Sequence, residues 1–254
     1  MLKRLLILIF SLSAAGCSLS TAPDVAHYGS GPRRILFIGN SLTGYNDMPS
    51  MVVALAEAAS FTPLPTAVVD WLPNYAVIDH WADGNAQRII SGGHFDVVIM
   101  QQGPTSVGLN RDTLRLAAKN FDPIIRAAGG IPALYSVWPT IDRQQDFDQA
   151  TQSYALAAQD VNGMHFPAGE TWRAAWRRNP SLQFYSADGL HPTILGSYAA
   201  ALTILGGLYD RSVVGLPAAF NWSGGRFQVD AATARMIQEA ADEANRNFGM
   251  KGSR

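Results

Sequence analysis

The stretch Arg33-Arg34-Ile35-Leu36-Phe37-Ile38-Gly39-Asn40-Ser41-Leu42-Thr43 decides the fold. Ile35 to Ile38 is a short, continuous apolar run rich in β-formers, the pattern of a strand buried on both faces of a parallel sheet. Gly39-Asn40 is turn chemistry, so Ser41 stands where a strand ends. In open α/β sheets ligands bind at the carboxyl edge of the strands, which places this hydroxyl for chemistry. The same residues also suit an ordinary helix N-cap.

A second stretch, Ser186-Ala187-Asp188-Gly189-Leu190-His191-Pro192-Thr193, lies near the other end of the chain. Pro192 fits the first position of a helix, which leaves His191 at or just before its start and Asp188-Gly189 in the preceding turn. An aspartate three residues before a histidine across such a turn folds back onto the imidazole, fixing its tautomer and stabilising its charged form. That is the acid-and-base half of a Ser-His-Asp triad. Taken alone, the segment reads equally as a turn followed by a cap. Together, in the order Ser, Asp, His, the two segments point to nucleophilic catalysis.

With these residues the chain resembles the SGNH (GDSL-type) hydrolase family over about residues 33–210. The family's Gly-Asp-Ser block is similar to Gly39-Asn40-Ser41, with Asn40 in place of the usual aspartate, and its Asp-x-x-His-Pro block matches residues 188–192 at every position. The resemblance implies a serine esterase on a three-layer, flavodoxin-like α/β fold with a five-stranded parallel sheet. Ser41 would be the nucleophile, His191 the general base and acid, and Asp188 the residue that orients the histidine. It also implies an oxyanion hole built from the N–H of Ser41 and from Gly84, standing for the family's second-block glycine. The family's third-block asparagine is missing here. Gln101 or Gln102 carries the same amide on a longer arm, at the end of the expected strand 95–100. Each of these positions also has a plain structural reading, Asp83-Gly84 as a common turn and the glutamines as caps of the sheet edge.

The rest of the pattern agrees with a doubly wound sheet. Helical spacing is expected over residues 48–60, 74–82, 113–128, 147–161 and 170–178, alternating with strands at 66–71, 95–100, 131–137 and 164–168. A short helical piece ends near residues 91–93, and Pro123 is expected to kink the helix that contains it. Residues 194–208 are almost wholly apolar but too short to span a bilayer, and are expected to form a buried helix that anchors His191. Residues 230–248 read as a polar-faced terminal helix.

A chain of 254 residues with 48% hydrophobic and 15% charged residues buries one substantial core, so one catalytic domain is expected over residues 32–254. Lys3-Arg4 followed by the apolar run Leu5 to Phe10 reads as a secretory leader, residues 1–16. Ala14-Ala15-Gly16-Cys17 resembles a bacterial lipobox, in which Cys17 is lipidated, and residues 17–31 then form a tether to the cell envelope. The alternative is a plain signal peptide and a secreted protein. Cys17 is the only cysteine, so no intrachain disulfide forms.

The formal charge of −1 and the lack of a basic stripe argue against nucleic acid. Gly39-x-Ser41-x-Thr43 lacks the second glycine of the nucleophile elbow, which disfavours an α/β-hydrolase. No P-loop or dinucleotide fingerprint is present. His27, His80, His94 and His165 lack metal-ligand spacing, so no cofactor or metal is expected. Of the tryptophans only Trp138, just past a strand end, is placed for a ligand. The expected protein is a monomeric esterase acting on short acyl esters, including O-acetyl groups on carbohydrate. The competing readings are a glycan-binding lipoprotein without turnover and an acyltransferase.

Overall fold

The computed structural model describes residues 31–104 and 106–253, so the expected leader and the lipidation at Cys17 lie outside the described residues. The apolar run forms β1 (Arg34–Gly39), and Ile35 to Ile38 are at most 1% exposed. The cause is its position between β2 (Thr66–Trp71) and β3 (Val97–Met100), with helices over both faces. With β4 (Ile131–Tyr135) and β5 (Met164–Phe166) the sheet has five parallel strands in the order β2-β1-β3-β4-β5. This is the three-layer α/β architecture expected. On the open edge, β2 leaves Val69 and Trp71 exposed.

The helices are α1 (Ser41–Gly44), α2 (Met48–Ala58), α3 (Val77–Asp83), α4 (Asn85–Gly93), α5 (Leu109–Ala127), α6 (Phe147–Asp160), α7 (Ala168–Arg178), α8 (Ile194–Tyr209) and α9 (Ala231–Phe248). One layer is formed by α2, α7, α8 and α9, and the other by α3 to α6. The chain runs from β1 out to the edge strand β2 and then returns across β1 to β3. The winding therefore reverses between β1 and β3, where a crevice opens at the carboxyl ends of the strands. Ser41 follows β1 after the single residue Asn40, and Gln101 follows β3 directly, so both stand at the carboxyl ends of the strands where the crevice opens.

Helix α8 is buried along nearly its whole length, as its composition requires. Thr193 caps it, accepting a hydrogen bond from the Gly196 N–H at 3.1 Å. Gly196 is needed for close packing: a Cβ there would lie 2.5 Å from the Phe184 carbonyl oxygen and 2.7 Å from the Trp172 ring.

Three elements differ from expectation. Helix α3 begins at Val77, because Asn74 adopts a left-handed backbone (φ 63°) that cannot continue a helix. Helix α5 begins at Leu109 and continues through Pro123 as a single helix. A hairpin of β6 (Ala219–Trp222) and β7 (Gly225–Gln228), too short for its alternation to stand out, packs its aromatic face on Tyr198 of α8.

Candidate active site

Ser41 enters the crevice as the first residue of α1, and the capping function falls to Asn40. The Asn40 Oδ1 accepts the Leu42 N–H at 3.0 Å, while its Nδ2 donates to the Tyr75 carbonyl at 3.0 Å. Gln101 reaches across from β3: its Oε1 accepts from the Asn40 N–H (3.0 Å) and from the Thr43 hydroxyl (2.7 Å). The Ser41 hydroxyl is thereby left for another partner, and it meets His191 Nε2 at 2.9 Å.

The histidine segment is held by its own local bonds. The Ser186 N–H donates to the His191 carbonyl and the Thr193 N–H to the Phe184 carbonyl, both at 2.8 Å. Asp188 folds back as the spacing suggests. Its Oδ2 lies 2.6 Å from His191 Nδ1, and its Oδ1 accepts the backbone N–H groups of Leu190 and His191 at 2.9 Å each. These donors favour the charged carboxylate, the imidazole most strongly, and hold the Asp188 pKa down to about 2. An Nδ1–H donated to a carboxylate leaves Nε2 as the acceptor that faces the serine hydroxyl. The Tyr45 ring stacks on the imidazole with centroids 4.6 Å apart.

Ser41 opens on a cavity of about 230 Å³ whose walls include Asn74, Tyr75, Gln102, Pro104 and Leu190. Of the expected oxyanion donors, the structure brings Ser41 and Gln102 to this cavity, and two expectations are corrected. Gly84 is the left-handed link between α3 and α4 (φ 83°). Its N–H is donated to the His80 carbonyl at 3.2 Å, and it takes no part in the cavity. Gln101 is buried beneath the Gly39-Asn40-Ser41 turn, with its amide nitrogen donated to the Gln102 carbonyl, and acts as a clasp. Gln102 lines the cavity, with its amide nitrogen 2.7 Å from the Asn110 carbonyl. Trp138 is also corrected: it is fully buried, stacked 3.6 Å from Trp172, and donates its Nε1–H to the Leu190 carbonyl, behind the histidine loop.

Asn74 and Tyr45 are cavity and histidine neighbours that the sequence reading missed. Pro73-Asn74 just after a strand end is a turn signal of the kind that tolerates a left-handed residue, and would have marked the first. Nothing in the pattern marks Tyr45 as the ring that covers the imidazole. Among the described residues no group of three or more His, Cys, Asp or Glu is placed to hold a metal ion. Nor does any described helix have the length and apolarity to cross a membrane.

No protein-family model and no curated protein sequence matches this chain. Solved structures do. A DUF4886 family protein from Bacteroides uniformis superposes with a TM-score of 0.67 at 18% identity, covering 85% of this chain and 95% of that one. A protein described as an SGNH hydrolase from Slackia heliotrinireducens gives 0.56 at 24% identity, over 68% and 97% of the two chains. An acetylxylan esterase from Geobacillus stearothermophilus, solved as a catalytic mutant, gives 0.53 at 16% identity, over 69% and 94%. Strand order, the serine at the winding reversal and these superpositions agree, and the molecule has the fold of the SGNH hydrolases.

Proposed function

We propose that this protein is a serine esterase that cleaves short-chain acyl esters, with O-acetyl groups on carbohydrate as the preferred class. The observation that carries the reading is the hydrogen-bond chain from Ser41 through His191 to Asp188, opening on a small cavity. A 230 Å³ space suits a short acyl group better than a long one. The fold neighbours described as an acetylxylan esterase and, from Enterococcus faecalis, as a lipase/acylhydrolase carry the same chemistry.

In this mechanism His191 Nε2 takes the proton of the Ser41 hydroxyl as Oγ attacks the ester carbonyl. Asp188 stabilises the imidazolium, which then protonates the departing alcohol oxygen. Water, deprotonated by the same nitrogen, releases the acyl group and restores the serine. The N–H of Ser41 is the first oxyanion donor. The Asn74 N–H, which has no partner among the described residues, is the second, and a Gln102 amide hydrogen is the third. Lipid attachment at Cys17, and with it a place in the cell envelope, rests on the sequence pattern alone.

The test is labelling with a fluorophosphonate together with a chain-length series of chromogenic esters. Wild-type protein is expected to label at Ser41 and to prefer acetyl over longer acyl groups, and Ser41→Ala to lose both label and turnover. A folded wild type that does not label would leave the glycan-binding reading instead. Faster product formation on adding an alcohol acceptor, with no free acid released, would favour the acyltransferase.

A further inference from the structure

His80 is fully buried on α3, directly under the nucleophile turn, and plays no part in the chemistry described so far. Its Nε2 lies 2.7 Å from the carbonyl oxygen of Gly39, the last residue of β1. A carbonyl only accepts, so Nε2 carries the hydrogen. The other ring nitrogen faces Asp70 Oδ2 of β2 at 3.5 Å, and each of these two buried atoms lacks any other partner among the described residues. The second oxygen of Asp70 is fixed by the Asn85 side-chain amide at 3.0 Å.

The peptide unit that His80 holds is Gly39–Asn40, one residue before the serine. Its carbonyl accepts from His80 and from the Leu72 N–H (3.2 Å), and its N–H donates to Gln101 Oε1 (3.0 Å). Both ends of one peptide plane are thus gripped by side chains from different elements. Rotation of that plane would swing Asn40 out of its cap and carry the Ser41 hydroxyl away from His191. We propose that His80 is a positioning residue that keeps the Gly39–Asn40 peptide, and through it the Ser41 Oγ, aimed at the imidazole. This rests on the esterase reading, because it assigns His80 a role only if Ser41 is the nucleophile.

The test compares His80→Leu and His80→Gln with the wild type in fluorophosphonate labelling rate, kcat, KM and thermal unfolding. Glutamine places an amide N–H near the position of Nε2, and leucine places none. His80→Leu should lower kcat and the labelling rate by on the order of tenfold or more with KM little changed, and His80→Gln should recover most of both. If the leucine and glutamine variants are equally slow, or if the folded leucine variant labels at the wild-type rate, the proposal is overturned and His80 only satisfies a buried carbonyl.

Should the leucine variant not fold, ¹⁵N-labelled wild type decides. Among the described histidines His94 is exposed, and His165 and His191 have Nδ1 towards a carbonyl and a carboxylate, so within that set an exchange-protected imidazole Nε2–H belongs to His80. That signal should be present and should shift when Ser41 carries the phosphonate, and its absence overturns the proposal. A wild type that does not label at all overturns the esterase reading first, and this proposal with it.

Discussion

Asp188 accepts three hydrogen bonds yet stays half exposed, so its value lies in direction more than in stability. With its pKa held near 2, the carboxylate is charged at neutral and mildly acid pH. Loss of kcat/KM on mild acidification therefore does not report protonation of this carboxylate. Asp188→Asn keeps the shape but offers Nδ1 an amide in place of a carboxylate, and should lower kcat by on the order of 10⁴. Steady-state kinetics on a chromogenic acetate checks this, and a loss below tenfold takes Asp188 out of the mechanism. Asn40 shows why a departure from a family pattern need not weaken a site. Its Nδ2 donates to the Tyr75 carbonyl and ties the nucleophile turn to the loop that carries Asn74. An aspartate has no such donor, and its charge would face a carbonyl at a position only 5% exposed. Asn40→Asp should destabilise the protein by about 1–3 kcal/mol, measurable by urea unfolding, and slow labelling at Ser41. A variant as stable as the wild type would show that the tether does not matter.

The elements that deliver these residues were legible where one pattern dominated. The β1 run and the apolar stretch of α8 form as expected, and Asp188 folds back onto His191, but α8 begins at Ile194 with Thr193 as its cap, so Pro192 lies just before the helix and not at its first position. The cavity wall was only partly legible: Ser41 and Gln102 were anticipated, whereas Asn74 enters it from a loop. Gly84 and Asn74 both adopt left-handed conformations after β2, and sequence favours the glycine, whereas the crevice is lined by the asparagine. The clasp formed by Gln101 was invisible for a similar reason: an amide near a sheet edge turns inward or outward according to a neighbour 61 positions away. Helix α8 allows a direct test of how packing sets the histidine. Gly196 sits against the Phe184 carbonyl and the Trp172 ring, and Pro192 is its next neighbour. Gly196→Ala must push the helix start away from both, at a cost of about 1–3 kcal/mol, and move His191 with it. The expected result is a lower unfolding midpoint together with a kcat loss greater than its KM change. Unchanged kinetics in the folded variant would mean that the strap from residues 184–186 alone fixes the histidine.

Across the whole molecule the two ends of the sheet are protected differently. Edge strand β2 leaves Val69 and Trp71 exposed, while β5 is covered by the chain's last residues. His165 and Met250 exchange backbone hydrogen bonds (3.0 and 3.2 Å), and Arg126 donates to the Ser253 carbonyl at 2.7 Å. His165 also anchors this cover through its side chain: Nδ1 donates to the Phe248 carbonyl at 2.8 Å, and Nε2 accepts from the Ser136 hydroxyl at 3.0 Å. Burial disfavours the imidazolium and depresses its pKa to about 4, against an ordinary value of 6.5. Between those two values the unfolded chain binds more protons than the folded one, so stability rises with pH across the window and is lost as pH falls through it. The full contribution stands above pH 6.5, and about 3 kcal/mol of it should disappear between pH 7 and pH 4. Carboxylates with depressed pKa values, such as Asp188 and Asp160, lose their contributions mainly below that window and do not mimic the effect. Urea unfolding at pH 7, 5.5 and 4 measures the slope. His165→Asn keeps a donor for the Phe248 carbonyl without a titrating ring and should flatten that slope. Equal slopes in the two proteins would mean that His165 is not the group that senses acid.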